Sequence, residues 1–209
     1  MPKIVDREAR RTEIARAYLE MVARQGVEGV TTRGLAQELG VAAGALWNYF
    51  DDTRALTIAA FELYFADINS RIDEIARGMR GVAAMKVLLR EVLPLSAVGQ
   101  QEARVSLSFY GQVAIADPLH AVQRQAEARW RDILVGHIGE AVEDGALRAG
   151  IAPEDLADLL VALAVGLQIE YVTGSPNGQP QRQEELLDLA LRPWLVDDPA
   201  LAEFEHADH

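Results

Sequence analysis

Between Leu156 and Val172 only Asp158, Gln168 and Glu170 are polar. Pro153 suits a first helical position, and Glu154 and Asp155 favour the positive end of a helix dipole, so Pro153 to Thr173 is expected to form one helix. A helix that is apolar nearly all round must be covered on both sides. In a chain of 209 residues one side can be its own core and the other a partner copy. A membrane span is not expected: the longest unbroken apolar run, Leu159 to Leu167, falls far short of the ~20 residues a bilayer requires.

The same three-and-four spacing of apolar residues recurs along the chain. Asp6 to Gln25 carries Ile14, Ala17, Tyr18, Met21 and Val22, with Gly26 as a natural stop. Next, Thr31 or Thr32 can cap a short helix with Leu35, Ala36 and Leu39 on its apolar face, ended by Gly40. A second short helix, roughly Ala42 to Tyr49, places Leu46 one turn before Phe50. Asp51-Asp52-Thr53 ends it and caps a long helix from near Thr53 to about Ala76. Two short helices joined by a glycine-containing turn make a helix-turn-helix unit. Further helices are expected over 82–93, about 102–114, 119–144 and 184–194, with 174–182 as a turn. Val105, Leu107 and Phe109 alternate with serines as a strand would, but the pattern is short and has no partner strand, so helix is expected there too. The fold class is therefore all-α: a three-helix N-terminal head (1–52) and a helical body (53–209).

Charge divides the chain the same way. Residues 1–60 hold eight basic and eight acidic residues, so the net charge of -12 lies entirely in the remainder. Because charges more than ~8 Å apart are largely screened at physiological salt, an acidic body does not prevent a neutral head with local arginines from approaching DNA. The absence of cysteine excludes disulfides, thiolate metal sites and a cysteine nucleophile. The opening MPKIVDREARR lacks the apolar core of a signal peptide, and a cytoplasmic protein is expected.

Residues 26–56, GVEGVTTRGLAQELGVAAGALWNYFDDTRAL, resemble the DNA-binding head of the TetR family of transcriptional regulators through Gly26, Thr31-Thr32, Leu35-Ala36, Leu39-Gly40-Val41, Gly44, Leu46, the aromatic at 47, Tyr49-Phe50 and Leu56. More loosely, WRDILVGHIGEAVEDGALRAGIAPEDLADLLVAL resembles the BetI-like branch of that family. The resemblance implies a homodimeric repressor of a palindromic double-stranded DNA operator, released by a small apolar or amphipathic effector. It puts Thr32, Arg33, Ala42, Ala43, Gly44, Ala45, Trp47, Tyr49 and Thr53 against DNA. Arg33 is the best base reader, because a guanidinium can bind guanine O6 and N7 together. Trp47 and Tyr49 can donate to phosphates. Four departures stand out: positions 42, 43 and 45 carry alanine where the family has polar residues, and Thr53 replaces a phosphate-binding lysine. Alanines touch thymine methyls but make no base-edge hydrogen bonds, so DNA shape is expected to carry more of the readout.

In the body Phe109, Tyr110, Trp130 and Tyr171 are either core or the walls of an effector pocket, and His137 either orients a ligand or is a satisfied core histidine. Gln168 and Glu170 interrupt the apolar helix, where a buried polar group requires a partner. Each either orients a ligand or lies at a dimer seam. The dimer is expected through helices 153–173 and 184–194. No cofactor, metal site or catalytic motif is expected: GSPNG is not G-x-S-x-G, no glycine-rich phosphate loop precedes a helix, and His137-x-x-Glu140 offers at most half a metal site. Two other readings remain: a small-molecule-binding dimer with weakened DNA binding, and an all-helical enzyme.

Overall fold

The computed structural model describes residues 7–114, 117–148 and 150–196. Eight α-helices make up the described chain: α1 (Arg7–Gly29), α2 (Thr32–Glu38), α3 (Thr53–Ile75), α4 (Gly81–Val92), α5 (Ala97–Val113), α6 (Asp117–Glu143), α7 (Pro153–Val172) and α8 (Pro180–Leu191). Two 3₁₀ helices, Ala43–Asn48 and Pro176–Gly178, lie between them. The fold is all-α, as the periodicity requires, and residues 105–109 are helical.

The head closes around Ile14, Tyr18, Met21 and Val22 of α1, Leu35 and Ala36 of α2, Leu46 of the first 3₁₀ helix, Phe50 just after it, and Leu56 of α3. Its boundaries follow from caps. Gly26 adopts φ 72°, which breaks α1 at the expected residue. Thr31 accepts from the Gly34 N–H at 3.0 Å, and Asp52 from the Ala55 N–H at 2.7 Å. The second short helix, expected to be α-helical over 42–49, is a 3₁₀ helix instead, with i→i+3 bonds from Ala45 to Ala42 and from Tyr49 to Leu46. Its last carbonyls are taken by α1, since Arg7 donates to Asn48 O and Arg11 to Tyr49 O.

In the body α6 packs on α4 and α7, while α5 packs on α1 and α7. An aromatic cluster ties α3, α5 and α6 together: Phe61 and Phe109 lie 4.0 Å apart, and Phe65 meets Trp130 edge-on at 5.7 Å. Two elements depart from expectation. Helix α5 starts at Ala97 because Ser96 caps it, accepting from the Gly99 N–H. Helix α8 spans Pro180–Leu191 rather than 184–194. Pro180 starts it early, and after Leu191 the chain turns back, so that Val196 donates to Ala146 O at 3.0 Å and Arg148 to Trp194 O at 2.8 Å.

Candidate nucleic-acid interface and effector cavity

None of the residues expected to meet DNA is fully buried. Arg33, Ala42, Ala43, Gly44, Trp47 and Thr53 are exposed, while Thr32, Ala45 and Tyr49 are half-buried. Thr32, Trp47 and Thr53 share the lining of a single groove with Thr31, Val30 and Leu56. Trp47 is 38% exposed although its neighbour Leu46 is buried, so the indole is displayed on the rim of the head core rather than absorbed into it. Arg33 has no hydrogen-bond or ion-pair partner among the described residues, and its guanidinium keeps all its donors for another molecule. Gly44 is exposed with open space where a Cβ would be, which permits close approach of another backbone. Arg7 and Arg11 were not singled out from sequence. Besides bracing the 3₁₀ helix, Arg11 places its guanidinium 4.4 Å over the Phe50 ring. The Arg7/Arg11 spacing on one face of α1 is the signal that could have found them.

The body contains a cavity bounded by α4, α5, α6 and α7. Leu88, Leu89, Val92, Leu134, Val161, Ala164 and Val165 provide apolar walls, with Tyr110, Trp130 and Gln168 as its polar-capable members. Its free volume is only about 20 Å³, room for about one water molecule, so it is nearly collapsed. Of the expected ligand residues it brings together Tyr110, Trp130 and Gln168. Phe109 faces the other way into the aromatic core and is buried there. Tyr171 lies under the Arg104 guanidinium at 5.8 Å, away from the cavity lining. His137 also lies outside the lining: its Nδ1 is 2.9 Å from Glu140 Oε2, the same oxygen that accepts the Gly81 N–H at 2.9 Å. The His137 contact, then the Gly81 N–H, holds the Glu140 carboxyl below the usual range. His137-x-x-Glu140 thus clasps α6 to the start of α4, and no group of three or more ligating side chains is placed to hold a metal among the described residues. Glu170 is half-buried and outside the lining.

The cavity connects to α3 through residues that sequence reading passed over. Trp130 donates its indole N–H to Asn69 of α3 at 2.9 Å. Two residues on, Arg71 forks to Glu91 of α4 at 2.6 Å and to both oxygens of Glu102 of α5 at 2.6 and 2.8 Å. Burial pushes the Glu102 carboxyl up, and Arg71 pulls it back only in part. Isolated charges at 71, 91 and 102 carry no spacing pattern; only the packing of three helices brings them together.

Residues 82–194, more than half of the chain, match the family described as BetI-type transcriptional repressor, C-terminal, and residues 14–60 match bacterial regulatory proteins of the tetR family. The chain belongs to the TetR family. Among its TetR-family relatives, the HTH-type transcriptional regulator BetI of Paraburkholderia phytofirmans is 25% identical over 184 residues, covering 86% of this chain and 89% of that protein. The HTH-type transcriptional regulator PksA of Bacillus subtilis is 33% identical over 110 residues, which is 52% of this chain and about half (54%) of PksA. A transcriptional regulator from Saccharomonospora viridis, solved in complex with choline, superposes with a TM-score of 0.84 at 19% identity, covering 90% of this chain and 99% of that one. That last likeness is one of fold. The two family matches fall on the head and the body separately, and α3 runs between them: Leu56 and Ala60 lie in the first match, while Asn69 and Arg71 lie beyond it.

Proposed function

We propose that this protein represses transcription in the cytoplasm by gripping a palindromic operator as a two-fold dimer. It releases that operator when a small apolar or amphipathic effector enters the α4–α7 cavity. Residues 1–52 read DNA; residues 53–209 dimerise and bind the effector. The observation that carries this reading is the hydrogen bond from Trp130 to Asn69, because Trp130 is a cavity wall and Asn69 belongs to the helix whose other end adjoins the head. A cavity with so little free volume must spread to admit a ligand. Spreading displaces Trp130 and α4, and α3 is tied to both, through Asn69 and through the Arg71–Glu91 pair. A ligand that binds the spread form better then shifts the dimer away from the spacing of its two reading helices, about 34–36 Å, that consecutive major grooves require.

A second reading has one specific support: the exposed Ala42, Ala43 and Gly44 with half-buried Ala45 form no base-edge hydrogen bonds, which suits a ligand-binding dimer with weakened hold on DNA. Selection from a pool of random duplexes at stepped salt, with wild type and Arg33→Ala in parallel, separates the two. Repression predicts enrichment of a palindrome, and loss of about 1–3 kcal/mol with blurred preference at one position per half-site in Arg33→Ala. Weak, unselective binding that is unchanged in Arg33→Ala supports the second reading and removes the first.

A further inference from the structure

The polar groups left unspent in the cavity specify a ligand chemistry narrower than "small and apolar". Gln168 is buried in the cavity wall and donates its Nε2 to the Val92 carbonyl at 2.6 Å. The amide therefore cannot be turned round, and its Oε1 remains an acceptor with no partner among the described residues. Tyr110 is the complement. Its hydroxyl oxygen accepts from Gln123 Nε2 at 3.4 Å, and its own proton is spent on no described group. Burial pushes the phenol's pKa up, so it stays protonated at neutral pH. Gln123 is itself buried and fixed by Glu127 at 2.6 Å, so it stays in place as the donor to that hydroxyl. Two residues of the lining thus hold a donor and an acceptor in reserve, Tyr110 on α5 and Gln168 on α7, among otherwise mostly hydrocarbon walls.

Among the described residues no charged side chain lines this space. A carboxylate or phosphate entering it would find no cation in that lining to offset the cost of its burial. A quaternary ammonium would meet the two rings of Tyr110 and Trp130 but no lining carboxylate, and cation–π contact offsets only part of the cost of burying an unpaired charge.

Resting on the effector-cavity reading above, we infer that the ligand is an uncharged, largely hydrocarbon molecule bearing one hydroxyl, which accepts from Tyr110 and donates to Gln168. This separates the chain from its structural relative that holds choline.

Calorimetric titration of the full chain tests it with menthol, thymol and naphthol, each beside its methyl ether and its parent hydrocarbon, with naphthoate and choline as charged probes. Affinity should rise from hydrocarbon to ether to alcohol, roughly two- to tenfold per step, because the ether accepts but cannot donate. Tyr110→Phe should bring the ether down to the hydrocarbon, and Gln168→Leu should bring the alcohol down to the ether. Unchanged hydrocarbon binding in each variant shows that its cavity is intact. Equal binding of alcohol, ether and hydrocarbon, tighter binding of naphthoate or choline, or no binding of any alcohol overturns the assignment. The release mechanism is judged separately, on the selected operator: alcohols that bind through Tyr110 yet leave operator affinity unchanged keep the ligand assignment and remove the release mechanism.

Discussion

Gly178 sits buried at the end of the 3₁₀ turn before α8, where a Cβ would lie 2.5 Å from the Tyr171 Cα and 2.6 Å from the Glu170 carbonyl oxygen. Both obstacles are backbone, so the turn or the end of α7 would have to move. Gly178→Ala should cost about 1–3 kcal/mol in urea unfolding by overpacking. Gly44→Ala provides the contrast, with nothing within 4 Å of the added methyl, and its stability should hold or rise by about 0.4–1 kcal/mol. Equal stability of the two variants would mean the α7–α8 corner yields without strain. The GSPNG segment announces a turn through its composition, but not that one of its two flanking glycines is pressed against a helix. At this scale the sequence distinguishes poorly between neighbours: Phe109 and Tyr110 are adjacent aromatics on one helix, about 100° apart, and one fills the core while the other walls the cavity.

Elements were far more legible than their contacts, because helices declare themselves through periodicity and through caps such as Thr31, Asp52 and Gly26, all local signals. What stayed hidden depends on distant partners. The 3₁₀ form of the 43–48 helix accompanies arginines from α1 at its end, and the His137–Glu140 pair, readable as half a metal site, acts on a backbone N–H of another helix. That clasp gives a pH prediction. Glu140 is held below its ordinary 4.5 by His137 and the Gly81 N–H, so its contribution is fully present above that ordinary value and is lost as pH falls through the depressed one. Melting temperatures of wild type and Glu140→Gln should therefore differ at neutral pH and converge progressively in acid below about pH 4.5. A gap that stays constant down the series would show that the ionised carboxylate plays no part in joining α6 to α4.

For the whole molecule the question returns to the apolar helix. Helix α7 buries Leu156, Ala157, Leu160, Ala164 and Leu167 inward, yet Leu159 remains 49% and Ile169 38% exposed on the opposite side, with Ala162 and Gly166 between them at three- and four-residue steps. Leu189 of α8 adds a further 47% exposed leucine. A two-fold axis would bring this face against its own copy, and the small residues at 162 and 166 would let the backbones approach. In the proposed repressor the dimer is also what joins two weak half-site contacts into one operator grip. Leu159→Glu/Leu189→Glu should therefore do two things at once. By light scattering the particle should fall from two chains to the single-chain mass of 22.9 kDa, because four carboxylates would be buried without partners in the dimer. Operator affinity should fall with it, while the weak, salt-sensitive contact of a lone head with random DNA should survive, since Arg33 and its surroundings are untouched. If the double variant stays dimeric, the two-fold seam lies on another face. If it becomes monomeric and still holds the operator as tightly, the head does not depend on its partner, and the spacing argument for release fails with it.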